Sequence, residues 1–132
     1  MDKQYSVLLV DDDKFLLDMY SLKFSKSGLT VQVAQGSLAA LKILRDGYIS
    51  DILLLDIVMP TMDGLELLSV IRKEGLVPKA TVVMLTNQSQ SADIDRAKAL
   101  NVDGYIVKAT TIPSEVVSEV LDIVKKHKTN GL

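Results

Sequence analysis

Apolar residues fall along this chain in two alternating rhythms. Short apolar runs bounded by polar or turn residues recur at Tyr5 to Val10, Thr30 to Ala34, Asp51 to Leu55, Ala80 to Leu85 and Gly104 to Val107. Runs of this kind predict strands, and the continuous ones predict strands buried on both faces. Thr30 to Ala34 alternates instead (Val31, Val33), which places it near a sheet edge. Between the runs, apolar residues take helical spacing. Lys14 to Lys26 carries Phe15, Leu16, Met19, Tyr20 and Phe24 on its expected inward face, and Gly28 stops it. Ser37 is the expected cap of a helix running to Arg45 or Asp46, ended by Gly47. Asp63 to Lys73 and Ser91 to Leu100 follow, the latter with a thin stripe of Ile94, Ala97 and Leu100. Pro113 suits the first turn of a last helix, with Val116, Val117, Val120, Leu121 and Val124 facing inward.

Strand and helix thus alternate five times, the pattern of a parallel sheet covered on both faces. The chain has 132 residues, enough for one domain with a real core. We expect that domain over residues 1–128, with 129–132 as a fraying C-terminal tail. The helix from Ser91 has the poorest apolar face and is the one expected to move most readily.

Composition narrows the function. Hydrophobic residues make up 48% and charged residues 24%, ordinary for a globular protein. A net charge of -2 gives no electrostatic case for nucleic acid or an anionic membrane as partner. Without cysteine there are no disulfides and no thiolate metal sites. The single histidine, His127, falls in the lysine-rich tail and is expected to be solvated, which argues against a Ser-His-Asp hydrolase. The start, MDKQYS, has no apolar signal core, and no run approaches membrane-spanning length; the expected location is cytoplasmic.

The chemistry collects at the carboxyl ends of the strands. The first run ends in Asp11, Asp12 and Asp13, the third in Asp56, the fourth in Thr86 and the fifth in Lys108. In a doubly wound sheet of order 2-1-3-4-5, the first and third strands are neighbours and the switch point lies between them. Like charges ~4 Å apart repel by roughly 4 kcal/mol at an effective dielectric of 20. Such a cluster calls for a cation, and oxygen ligands without His or Cys favour Mg²⁺ over Zn²⁺. A carboxylate beside a divalent ion and a lysine can attack a phosphoryl group and form an acyl phosphate. Asp13 is assigned the structural role of a helix cap, and Asp63-Gly64 that of a helix start after the Pro60 turn.

The segments VLLVDDD, LLLDIVMPTMDG, VVMLTN and GYIVKA, in this order and spacing, resemble the receiver domain of two-component response regulators, the chemotaxis regulators among them. The resemblance runs from Tyr5 to about Lys126. It implies a flavodoxin-like α/β fold, a five-stranded parallel sheet of order 2-1-3-4-5 with five helices. It implies Asp56 as phosphoacceptor, and Asp11, Asp12, Asp56 and the backbone carbonyl of Val58 as the Mg²⁺ site. Thr86 would be the switch hydroxyl, Tyr105 the switch aromatic and Lys108 the phosphate partner. The phosphoryl donor would be a sensor histidine kinase or a phosphotransfer protein. The readout would be the fourth helix, fifth strand and fifth helix, acting on a downstream protein or output domain. The chain would be a signalling module rather than an enzyme. A monomer is expected, with dimer formation on phosphorylation left open.

Some positions depart from the family. Ala109 stands where proline usually follows the lysine, which puts a cis bond after Lys108 in doubt, because a cis bond before a non-proline residue costs about 2.5–4 kcal/mol. Val58 and Gln88 occupy the positions that influence dephosphorylation. Two alternatives stay open: a degenerate receiver acting as a phosphorylation-independent protein-binding scaffold, and an aspartate-nucleophile Mg²⁺ phosphohydrolase built on the D-x-D of Asp11 and Asp13.

Overall fold

The structure is a computed structural model that describes residues 4–87, 91–108 and 111–130. In chain order its elements are β1 (Ser6–Asp11), α1 (Lys14–Lys26), β2 (Thr30–Gln35), α2 (Ser37–Arg45), β3 (Ile52–Asp56), α3 (Gly64–Lys73), β4 (Thr81–Thr86), α4 (Ser91–Ala99), β5 (Gly104–Val107) and α5 (Pro113–Asn130). The strands form one parallel sheet of order β2-β1-β3-β4-β5, with β2 at an edge. Fold class and the edge position of β2 are as the sequence pattern predicts, and the strand order is the one the resemblance implies.

Strand alternation divides the core in two. Leu8, Val10, Leu53, Leu55, Val82 and Met84 point to the face covered by α2, α3 and α4. Val7, Leu9, Ile52, Leu54, Val83 and Leu85 point to the face covered by α1 and α5. β1, β3 and β4 are buried on both faces, which is why they appear in the sequence as unbroken apolar runs.

Several local expectations change. Ser37 does not cap α2. Gly36 holds that position at φ 97, and Ser37 is the first helical residue. Its buried hydroxyl donates to the Met62 carbonyl at 2.6 Å, tying α2 to the loop after β3. Phe15 is 75% exposed, because the buried stripe of α1 is Leu17, Tyr20 and Phe24, and Phe15 lies about 200° around the helix from Leu17. His127 is not a solvated tail residue. The last helix continues to Asn130, and its length carries His127 back over the sheet, with Nδ1 2.6 Å from the Thr81 hydroxyl and Nε2 3.6 Å from Asp103. Asp13 and Asp63 cap α1 and α3 as expected, Asp63 in a reciprocal capping box with Glu66.

Gly64 brings the start of α3 against the end of β3. A Cβ there would lie 2.0 Å from the Asp56 carbonyl oxygen and 2.9 Å from its carbon. The Gly64 N–H also donates to the Ile57 carbonyl at 2.8 Å. Both obstructing atoms are backbone and cannot rotate away. Gly64→Ala is therefore expected to lower stability by about 1–3 kcal/mol or more, the usual range for overpacking. A urea unfolding midpoint equal to that of the wild type would contradict this packing.

Candidate functional site

Parallel strands deliver their last residues to one edge of the sheet, and β1 and β3 are adjacent there. Asp11 ends β1 and Asp56 ends β3, each 6% exposed, while Asp12 is exposed one residue beyond Asp11. Carboxylate oxygens of Asp11, Asp12 and Asp56 all lie within 4.8 Å of one another. Lys108, just past β5, reaches across with Nζ 2.7 Å from Asp11 and 3.5 Å from Asp56. The second Asp11 oxygen accepts from the Asp13 N–H at 3.0 Å, which orients the carboxylate. These groups line a cleft of about 300 Å³ together with Leu16, Val58 and Asn87. Larger hollows of about 410 and 430 Å³ exist elsewhere, but neither gathers carboxylates around an ammonium.

Electrostatics follow from burial. Asp56 is pushed up to about 7, chiefly because burial strips water from its carboxylate, with Asp11 and Asp12 adding repulsion and Lys108 opposing. Burial acts to lower Lys108, but the hydrogen bond to Asp11 and the charges of Asp56 and Asp11 outweigh it and raise the ammonium above its ordinary value. Tyr20, on the other side of the strand ends, is raised by burial and also feels Lys108, Asp11 and Asp56. One lysine among three acids leaves the cluster under-neutralised. A donor set of oxygens alone, close together and partly open to solvent, fits a hard divalent cation such as Mg²⁺ that keeps several waters.

Thr86 is buried at the end of β4, and Tyr105 is half-buried in β5. The ladder pairs Met84 with Tyr105 and Thr86 with Val107. By alternation Thr86 shares the Met84 face, and Tyr105 packs with the same core. Both therefore sit on the α4 side of the sheet. Val58 stands at the mouth of the cleft, its side chain largely exposed. Gln88, Ala109 and the bond between Lys108 and Ala109 lie outside the described residues. Sequence reasoning overlooked Asn87, Leu16 and Gly64. Asn87 was within reach of the strand-end rule, one residue past Thr86. Leu16 and Gly64 belong to the site through tertiary contact.

The raised Asp56 has a consequence for stability. In the unfolded chain its carboxyl returns to the ordinary value of 3.8. Between that value and about 7 the folded state binds more protons than the unfolded one, so this group's contribution falls as pH rises through the window. With EDTA present, Asp56→Asn is expected to raise Tm, and by more at pH 8 than at pH 5. Saturating Mg²⁺ should recover part of that difference for the wild type by binding the folded state. An equal Tm for the two proteins at pH 8 in EDTA would contradict the electrostatic picture.

The family model for the response regulator receiver domain matches residues 7–121. Among curated relatives, the CpxR homologue of Haemophilus influenzae, a transcriptional regulatory protein, is 40% identical over 94 residues, covering 71% of this chain and 38% of that protein. A probable transcriptional regulator of Porphyra purpurea, ycf29, is 29% identical over 127 residues, covering 96% of this chain and 60% of that protein. The chain thus spans 38% and 60% of these two relatives' length, less than two thirds of either. Among solved structures, a CheY-like receiver domain protein from Methanospirillum hungatei superposes with a TM-score of 0.86 at 23% identity, covering 97% of this chain and 99% of that one. The Vibrio cholerae chemotaxis protein CheY4 superposes with a TM-score of 0.83 at 24% identity, over 92% and 99%. These structures share the fold, and the family match covers most of the chain, strand-end acids included: this chain belongs to the response regulator receiver domain family of two-component signalling.

Proposed function

We propose that this domain takes a phosphoryl group on Asp56 and relays its presence through the α4, β5 and α5 surface. The observation that carries the reading is the convergence of Asp56 with Asp11, Asp12 and Lys108 in one partly buried cleft. The donor would be a phosphohistidine on a sensor kinase or phosphotransfer protein, and the reader a downstream protein or output domain. None of the described helices is long and apolar enough to cross a membrane.

An Asp56 carboxylate oxygen attacks phosphorus as the bond from phosphorus to the imidazole nitrogen breaks. The imidazole leaves with the electron pair of that bond and takes a proton from solvent. Asp11, Asp12, Asp56 and the Val58 carbonyl would hold Mg²⁺, which supplies charge neutralisation for the transferring oxygens. Burial makes Asp56 a stronger base than an ordinary carboxylate, and Lys108 already stands beside it to pair with the incoming charge. The acyl phosphate then offers oxygens that the Thr86 hydroxyl can reach by moving toward the cleft. Tyr105 lies on the same face and can fill space that this movement frees. That couples the chemistry to α4.

A hydrolase built on the D-x-D of Asp11 and Asp13 is disfavoured. Asp13 uses its carboxylate to cap α1, accepting from the Phe15 and Leu16 N–H groups at 2.9 and 3.3 Å.

Intact mass after incubation with acetyl phosphate and Mg²⁺ tests the reading. The wild type should gain one phosphoryl group. Asp56→Asn, and the wild type in EDTA, should gain none. Lys108→Ala should slow the gain by roughly 10²-fold, the usual scale for losing one donor to a developing oxyanion. No gain in the wild type, with Mg²⁺ binding confirmed separately and a histidine-phosphorylated donor protein also inactive, would favour the scaffold reading.

A further inference from the structure

α4 is held to the body of the domain by unusually little. Of its described side chains, only Ala97 is buried. Such a helix is cheap to displace, so a polar contact can weigh heavily in where it sits. Arg96 supplies one. Its Nη2 lies 3.3 and 3.1 Å from the two Asp63 oxygens, and its Nη1 lies 3.4 Å from Asp93. Asp63 is the N-cap of α3, and the next residue, Gly64, packs against the Asp56 carbonyl. At the other end of the network, the buried Ala97 of the same helix belongs to the core cluster that Tyr105 packs against. Arg96 therefore links the α3 cap, whose next residue packs on the Asp56 backbone, to the helix that shares a core cluster with Tyr105.

We propose that the Arg96–Asp63 pair tethers α4 to the α3 cap and favours the unphosphorylated arrangement, making Arg96 a positioning residue that sets how readily Asp56 is phosphorylated. This rests on the reading of Asp56 as acceptor. A tether that stabilises one of two arrangements opposes any ligand that prefers the other, and its loss must favour that ligand. Both partners are partly exposed, Arg96 at 47% and Asp63 at 26%. Exposed pairs of this kind are weak, so the effect is bounded at about 1.5- to 5-fold and should shrink in high salt.

The test uses Arg96→Gln, Asp63→Asn and the double variant. Asparagine retains the capping oxygen, so Asp63→Asn removes the charge without removing the cap. Two quantities are read: the rate of phosphoryl uptake from acetyl phosphate with Mg²⁺, and amide hydrogen exchange of α4 with no donor present. Each single variant should raise both by about 1.5- to 5-fold, the double should match the singles, and high salt should bring the wild type toward them. Unchanged α4 exchange, uptake that is unchanged or slowed, or effects that multiply in the double variant would overturn the tether. If the wild type takes no phosphoryl group, the acceptor reading fails, and the proposal that Arg96 tunes phosphorylation falls with it. α4 exchange still decides whether the tether itself exists.

Discussion

Two carboxylates are buried side by side at the ends of β1 and β3, and Lys108 is the cation that makes this tolerable. Without it, Asp11 and Asp56 would face each other in a site from which most water has been removed. Removing one partner from a buried charge cluster typically costs several kcal/mol, so the position of β5 beside β4, which carries Lys108 at its end, is tied to this contact. Even so, the balance is incomplete. Asp56 is pushed up to about 7, chiefly because burial strips water from its carboxylate, and Lys108 offsets only part of that and of the repulsion from Asp11 and Asp12. The same burial that costs the fold stability makes Asp56 a stronger base than an ordinary carboxylate, and the surplus of acids over lysine fits a hard divalent cation.

The other end of the sheet contrasts with this. There the carboxylates are answered by hydrogen-bond donors. Asp51 accepts from the backbone N–H and hydroxyl of Ser6, at 2.9 and 3.2 Å. Asp103 accepts from the Val82 N–H at 2.8 Å, and Thr81 meets His127 at 2.6 Å. Thr81, His127 and Asp103 stand in the sequence of a hydrolytic triad, yet Thr81 is fully buried and no substrate could reach its hydroxyl. These contacts pin the amino ends of β1, β3 and β4 and the far end of α5. One pole of the domain is thus fastened, while the other carries charge that is answered only in part. A buried carboxylate signals a site only when its partners leave something for a ligand to supply.

The helices divide in a similar way. α3 buries Leu65, Leu67, Leu68 and Ile71, and α5 buries Val116, Val117, Val120 and Val124, so both are rigid walls. α4 has no comparable anchorage. Thr86 and Tyr105 lie on the side of the sheet that α4 covers, so the helix with least buried apolar surface is the one that covers them. The Gly64 N–H ties α3 to the Ile57 carbonyl just after Asp56, and the Arg96 contact with Asp63 extends that tie to α4. Rigidity and mobility are arranged around one strand end by how much apolar surface each helix buries.

What this chain's sequence determined by itself is local. Strand and helix periods, the caps at Asp13 and Asp63, and the acids, threonine and lysine at strand ends could be read directly, because each depends on neighbours a few residues away. The five strands lie within about a residue of where the pattern puts them for the same reason. Tertiary structure decided everything that depends on which surfaces meet. Ser37 has the chemistry of a cap, yet its hydroxyl found the Met62 carbonyl instead. Phe15 has the hydrophobicity of a core residue but sits off the buried stripe. His127 looked like tail until the length of α5 laid it against Thr81. Gly64 and Arg96 gain their meaning from Asp56 and Asp63, which they meet only in the folded chain. Hydrogen-bonding and apolar groups accept many partners, and local sequence does not rank those partners. Close packing does, because it leaves room for one arrangement.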